Sequence, residues 1–405
     1  MRLFALILIL AGTTQALAQH PAEAIVQSIL LNNTTLKADA EATRASQAEN
    51  LTGLTLADPE VEVSYFWGSP HAIGNRTDIS ASQRFDYATL FGLKKKLAKS
   101  RNEVLDLEHE LRWLTLEGEV RQLLVDLTYL NQQQAQLAER IQAAKSLHDK
   151  YQKAVQQGDA SRFERDKSQL ALLSLQAERD ELAIAQQQIL SQLTTYNAGQ
   201  PITYTATDYY PAGVASSSLS QAPSSPTTAA ASTATVPGDV VTTATRKLLD
   251  AQAKTFEEET RTARSASLPE LTAGYASELL AGEKFRGVTI GLSLPLWSNR
   301  NAVRAAKARQ TAHQSQAEDA LLQLQQQRHT LRQSMEAHRT LADQLNQTIK
   351  ESTTLPLLRR ALELGELSLL DYLQESSLLY NLQDKALQAE HEYQQARNAW
   401  LLLGE

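Results

Sequence analysis

Cysteine is absent from all 405 residues, which excludes disulfides, thiolate metal ligands, cysteine nucleophiles and a lipid anchored on an N-terminal cysteine. Glycine (16), proline (11) and methionine (2) are scarce and aromatics make up only 6%, and glycine-rich phosphate loops are missing. There is no excess of positive charge. The formal net charge is −7, which argues against an electrostatic nucleic-acid binder. The eight histidines are scattered, without H-E-x-x-H or other ligand spacing, so no metal centre, cofactor or enzyme is expected. Long hydrophobic runs are lacking too: nothing reaches the about 20 apolar positions of a transmembrane helix. What is abundant is Leu, Ala and Gln, with 42% hydrophobic and 21% charged residues. That composition suits long helices with narrow apolar seams.

At the start, Arg2, an apolar run from Leu3 to Leu10 and Ala16-Leu17-Ala18 follow one another. This order predicts a secretory signal peptide over 1–18 and a mature chain outside the cytoplasm. A β-barrel remains open as a way into a membrane, because its signal is weak per segment.

The chain repeats itself. Residues 19–200 and 240–405 each read helix, two short strands, very long helix, helix. Asp58-Pro59-Glu60 opens strands in the first copy and Leu268-Pro269-Glu270 in the second, 210 positions on. Tyr151–Ser161 lies over Leu358–Ser368 at an offset of 207, with Ala, Gly and Ser coinciding. Between the copies, 201–239 is a linker rich in Ser, Thr, Ala and Pro without a periodic apolar face, which predicts a flexible connection.

From Leu97 to Gln157 no proline occurs, and Leu116, Val120, Leu123, Leu127, Leu130, Leu137, Ile141, Tyr151 and Val155 follow steps of three and four, a seam of coiled-coil type. Leu331, Met335, Ala342, Leu345 and Ile349 do the same in the second copy. Gln134 and His148 are polar fill-ins of the first seam, and His148 and His338, at seam positions, predict interhelical hydrogen bonds rather than metal ligation. Gly158 and Gly365 end the long helices; Asp159 or Glu366 follows, then Ser161 or Ser368 as the next N-cap. Two matching helical turns result. Glu257-Glu258-Glu259 and Lys94-Lys95-Lys96 read as solvated helix positions.

Four runs alternate with period two: about 60–68, 76–86, 270–279 and 286–296. Val61, Val63, Tyr65 and Trp67 share one face of the first; Val288, Ile290, Leu292 and Leu294 share one face of the last. Phe66, Trp67, Phe85, Tyr87, Phe285 and Trp297 cluster at strand ends, where an interfacial aromatic girdle would sit. The loops Ser69–Asn75 and Leu280–Arg286 look like polar hairpin tips. Alternation alone fits either membrane strands or soluble hairpins capping helices. Secretion without another membrane segment favours the first, and so does the fact that four strands cannot close a barrel whereas twelve, from three chains, can.

In its Asn32-Asn33…Leu36 helix, its Asp58-Pro59-Glu60 and its ending GELSLLDYLQESSLLYNLQDKALQAEHEYQQARNAWLLLGE, the chain resembles the outer membrane efflux protein family, the TolC-like trimers. The resemblance covers nearly the whole mature chain. It implies a mainly α protein with a small β part: a homotrimer forming a twelve-stranded barrel in outer-membrane lipid, continued by a periplasmic helical coiled-coil barrel. It also implies a passive exit duct for drugs or heavy-metal cations, joined by a periplasmic adaptor to an inner-membrane pump. The segment EVEVSYFWGSPHAIGNRTDISASQRFD resembles the branch serving resistance-nodulation-division pumps for heavy-metal cations. In that family the tip turns (here Gly158, Asp159, Ser161, Gly365, Glu366 and Ser368) meet the adaptor.

The family's acidic constriction maps onto LLDYLQES. Asp371 takes its first position, Gln374 its second with Glu375 beside it, and Glu164 and Lys167 are the counterparts in the first copy. The basic residue that often follows the glycine is replaced by Glu366 and Leu367. Asp371 also suits the first turn of a helix, where carboxylates favour the positive dipole end. Other functions consistent with such a chain are a type I protein-secretion duct and a soluble periplasmic coiled-coil adaptor.

Overall fold

The computed structural model describes residues 21–55, 57–70, 73–85, 88–209, 240–266, 268–280, 282–294 and 300–404. The expected signal peptide, linker residues 210–239, Tyr87 and Trp297 lie outside the described residues. In chain order the elements are α1 (Pro21–Asn32), α2 (Thr34–Glu49), β1 (Glu60–Phe66), β2 (Arg76–Phe85), α3 (Ala88–Gln157), α4 (Arg162–Tyr196), α5 (Val240–Ser265), β3 (Glu270–Leu280), β4 (Glu283–Ser293), α6 (Arg300–Glu351), α7 (Thr354–Glu363) and α8 (Leu369–Leu403). The protein is mainly helical with one small antiparallel sheet. Its described residues divide into two compact units, one within 21–33, 117–209 and 334–398, the other within 34–116, 240–333 and 399–404. Helix α3, 70 residues or about 105 Å at 1.5 Å per residue, contributes to both.

Two helices that the sequence pattern runs through are broken. Asn33 separates α1 from α2; its Nδ2 donates to the Tyr196 carbonyl at 3.1 Å, and Asn is a favoured residue just before a helix. Ser352 and Thr353 separate α6 from α7, so the second copy has no single long helix like α3. The cause is Pro356, whose ring would strike the carbonyl four residues back. Within the first turn of α7 its missing N–H costs nothing.

The strands also end differently from expectation. β1 stops at Phe66, and β4 begins at Glu283 rather than near 286. The hairpin loop expected over Leu280–Arg286 contracts to a tight turn, since Leu280 already pairs with Glu283 and Gly282 supplies φ 95°. The linker starts later than 201. Tyr204 is buried, its hydroxyl 3.0 Å from Thr128 Oγ1; Asn131 Nδ2 donates to the Ala206 carbonyl at 2.9 Å and Gln132 Nε2 to that of Thr207 at 2.7 Å. Burial raises the Tyr204 hydroxyl pKa. Burial, with Glu390 and Tyr129 adding to it, pushes that of Tyr209 well above its ordinary range.

The first unit packs Val26, Ile29 and Leu30 of α1 and Val120, Leu124 and Leu127 of α3 with Leu193 of α4 and Ala386 and Ala389 of α8 into its core. Charge is buried with them. Arg121 Nη2 lies 3.1 Å from Glu23 Oε2 and 2.7 Å from Glu117 Oε1, all three side chains at most 7% exposed. Arg140 reaches Asp384 Oδ1 at 2.7 Å and the Tyr380 carbonyl at 3.2 Å. Two polar seam residues join helices by hydrogen bonds: Gln134 Nε2 donates to Gln186 at 3.1 Å and His148 Nδ1 is 3.0 Å from Ser168 Oγ; His338 Nδ1 lies 2.9 Å from Glu392 Oε2 but makes no hydrogen bond.

The second unit approaches its helices on small residues, Ala98, Ala244, Ala251 and Ala306, with a buried Ser100–Thr255 hydroxyl pair at 2.8 Å. Glu259 is not a solvated residue as its acidic run suggested; it meets Arg101 at 2.6 Å, joining α5 to α3. Glu257 and Glu258 pair with Arg261.

His313 is the titratable group of this unit most shaped by burial. Its Nε2 is 3.2 Å from Gln252 Oε1, while Nδ1 is buried without a partner. Burial lowers its pKa, so the neutral ring contributes stability above the ordinary value near 6.5 that is lost as pH falls through the depressed one. Melting temperature should therefore drop further between pH 7.5 and 5 in the native protein than in His313→Leu, by about 1–3 °C. Parallel pH profiles of the two would remove this role.

Candidate functional site

The sheet has the order β1-β2-β3-β4, all neighbours antiparallel. Register joins hairpins that are distant in sequence: Val61 pairs with Ala81, Ala81 with Tyr275 and Tyr275 with Val288. Because side chains alternate across a sheet, this registration collects Val61, Val63, Tyr65, Ile79, Phe85, Leu271, Tyr275, Leu279, Val288, Ile290 and Leu292 on one face. That face is uncovered in the single chain; Val288 is 83% and Ile290 79% exposed. The other face carries Glu60, Glu62, Ser64, Asp78, Ser80, Ser82, Thr272, Gly274, Ala276, Glu278, Gly287, Thr289 and Gly291. An apolar side left bare beside a polar one is the inverse of a soluble sheet packed on its core.

The aromatic residues divide between these faces. Phe85 belongs to the apolar face. Trp67, just past β1, stacks edge-on with Tyr65 of that face at 5.3 Å. Phe66 and Phe285 are on the other face. Phe66 pairs with Arg76, and Phe285 with Glu278, in polar-face rows; the Arg76 guanidinium sits 5.7 Å over the Phe66 ring. Position at a strand end suggested a girdle, but the parity of the register decides the face.

Both helical turns close in the same way. At the first, the Asp159 N–H donates to the Ala154 carbonyl at 2.8 Å and the Gly158 N–H to that of Val155 at 3.2 Å. At the second, Glu366 donates to Ala361 at 2.9 Å and Gly365 to Leu362 at 3.2 Å. These are two Schellman motifs with glycine at φ 87° and 74°. The N-cap follows three residues later in each. Ser161 Oγ accepts the Glu164 N–H at 3.2 Å, and Glu164 Oε2 accepts the Ser161 N–H at 2.8 Å. Ser368 Oγ accepts the Asp371 N–H at 3.2 Å and donates to Asp371 Oδ2 at 2.6 Å.

The carboxylates of the constriction mapping thus begin as caps. Glu164 is engaged by Ser161 and partly buried, and with burial it raises the Tyr151 hydroxyl pKa. Lys167 lies 5.6 Å over the Phe163 ring. Asp371, Gln374 and Glu375 are all exposed in the single chain. Asp371 and Glu375, four apart on α8, share a helix side. Gln374 is instead aligned with the exposed Leu370 and Leu378.

No family model and no curated protein matches the sequence. Solved structures do match its fold over nearly all of both chains. The outer-membrane channel OprN shares it with a TM-score of 0.73 at 14% identity, over 95% of this chain and 90% of that one. The open-state MtrE outer membrane channel of Neisseria gonorrhoeae gives 0.70 at 17% identity, over 95% and 89%. The outer membrane protein VceC of Vibrio cholerae gives 0.69 at 14%, over 95% and 96%. This is the TolC-like outer-membrane channel fold.

The neighbours OprN and MtrE are outer-membrane channels. Among the described residues no helix is long and apolar enough to cross a membrane; the bare apolar surface is on the sheet. Sequence reasoning missed two groups on it. Arg76, held by Asp78 at 2.7 Å and Glu278 at 3.1 Å, was visible only as one alternating residue, since its second partner comes from the other repeat. Lys284 was read as loop and Arg286 as the start of a strand; both are on β4, which begins at Glu283.

Proposed function

We propose that the chain is the outer-membrane duct of a tripartite export system. Three copies set β4 of each beside β1 of the next and close a twelve-stranded barrel, and the helices leaving the sheet enter the periplasm. The carrying observation is the sheet's pair of unequal faces between two unpaired edges. Large apolar side chains are each worth about 1.5–3 kcal/mol when fully withdrawn from water; lipid satisfies that face, and closure removes edges that hydrocarbon does not tolerate. An adaptor meets the two matched turns, Gly158–Ser161 and Gly365–Ser368. An inner-membrane pump of the resistance-nodulation-division type supplies the energy, and small solutes, heavy-metal cations among them, are the cargo.

The absence of native cysteine makes closure testable. With Glu62→Cys on β1, a scan of Gly287→Cys, Thr289→Cys and Gly291→Cys on β4 keeps both thiols on the polar face. One register should give a disulfide-linked trimer on a non-reducing gel. Monomers at every register would remove the closed barrel.

Asp371 and Glu375 line the narrow part of this duct. Three copies would bring six carboxylates together, a ring that favours cations. Asp371→Asn with Glu375→Gln should lower the cation-to-anion permeability ratio in planar bilayers by roughly severalfold. An unchanged ratio would place the constriction elsewhere.

A further inference from the structure

All the links from the sheet to helices lie at one end, after Phe85 and Ser293 and before Glu60 and Glu270, and both hairpin turns lie at the other. On the outer-membrane reading, which this inference deepens, the turn end is the outer leaflet. The outermost rows of the apolar face there are Tyr65–Thr77–Leu279–Lys284 and Val63–Ile79–Ser277–Arg286. Lys284 and Arg286 are exposed, and neither side chain makes an ion pair among the described residues. The nearby carboxylates Glu62, Asp78, Glu278 and Glu283 all belong to the opposite face. β1, the strand that closure sets against β4, presents Val61, Val63 and Tyr65 on this face and brings no acid either.

We propose that Lys284 and Arg286 form a binding site for the phosphate groups of an outer-leaflet lipid, with Tyr65 and Trp67 at the end of the adjoining copy's β1 as its aromatic flank. A charge at the bilayer midplane costs about 2–4 kcal/mol, but near the interface the cost falls to roughly 0–1, and both side chains are long enough to carry their charge outward. A lipid phosphate there supplies the missing counter-charge, and arginine binds it bidentately. The stacked Tyr65–Trp67 pair is the amphipathic element expected at head-group depth. Charge also guards open sheet edges, and β4 is an edge. That task accepts either sign on either face, whereas here cations alone sit at one end of the lipid-facing side.

The full-length protein in detergent tests this with a bis-phosphorylated lipid A, its dephosphorylated analogue and inorganic phosphate, read by native mass spectrometry and thermal shift. The phosphorylated lipid should bind at least about tenfold more tightly than the dephosphorylated one. Lys284→Gln with Arg286→Gln should erase that preference, while Arg84→Gln on the polar face keeps it. Equal binding of the two lipids, a preference that survives the double variant, or stabilisation matched by inorganic phosphate would each overturn the site. A chain that forms no conducting trimer sinks the barrel reading, whereas a conducting trimer without phosphate preference sinks only the lipid site.

Discussion

Val288→Arg should abolish membrane insertion, while Gly287→Arg, its immediate neighbour, should leave it intact. Val288 is in the middle row of the apolar face, beside Tyr275, and is 83% exposed. An arginine there meets hydrocarbon at a cost of about 2–4 kcal/mol per chain, or about 6–12 for three copies, comparable with the whole stability of many proteins. Gly287 belongs to the polar face beside Ala276, and a side chain built on it meets nothing within 4 Å. Folding into lipid vesicles, followed by heat-modifiable gel mobility, separates the two variants. Equal insertion would show that the bare face does not meet lipid.

Arg121→Met should destabilise the protein by about 3–5 kcal/mol, because it removes the guanidinium that lies between the buried Glu23 and Glu117 carboxylates. The two carboxylates are 1% and 4% exposed, so water cannot replace the lost partner. Replacing all three residues together, with Glu23→Leu and Glu117→Leu added, should recover most of the loss, since an apolar cluster of similar volume is often as stable as a buried ion network. Denaturant titration of the single and triple variants measures both effects. A single variant within about 1 kcal/mol of the native protein would mean the triad is solvated and carries no structural weight.

The helical turns were legible because every part of them is local: the glycine stop, the serine cap and the acidic residue three positions on lie within seven residues, twice. The break before α7 was equally local in cause. Pro356 stands in the sequence, but the apolar seam running from Leu331 to Ile349 suggested an unbroken helix. At the constriction, the mapping chose Asp371 and Gln374 with Glu375 beside it; on α8, Asp371 and Glu375 share a helix side while Gln374 is aligned with Leu370 and Leu378.

By itself, the sequence determined what has a short period: the two-residue alternation of the strands, the seams of α3, the duplicated order and the glycine turns. Each follows from backbone geometry within a few residues. Only the tertiary structure decided which distant segments share a surface. The pairing of β2 with β3 joins repeats about 190 residues apart in sequence, gathers the apolar residues of four strands onto one face, and sends Phe66 and Phe285 to the other. It also sets Arg76 against Glu278, as helix packing sets Arg121 against Glu23. Such contacts depend on which complementary partners the folded chain brings together, and no local pattern records that choice.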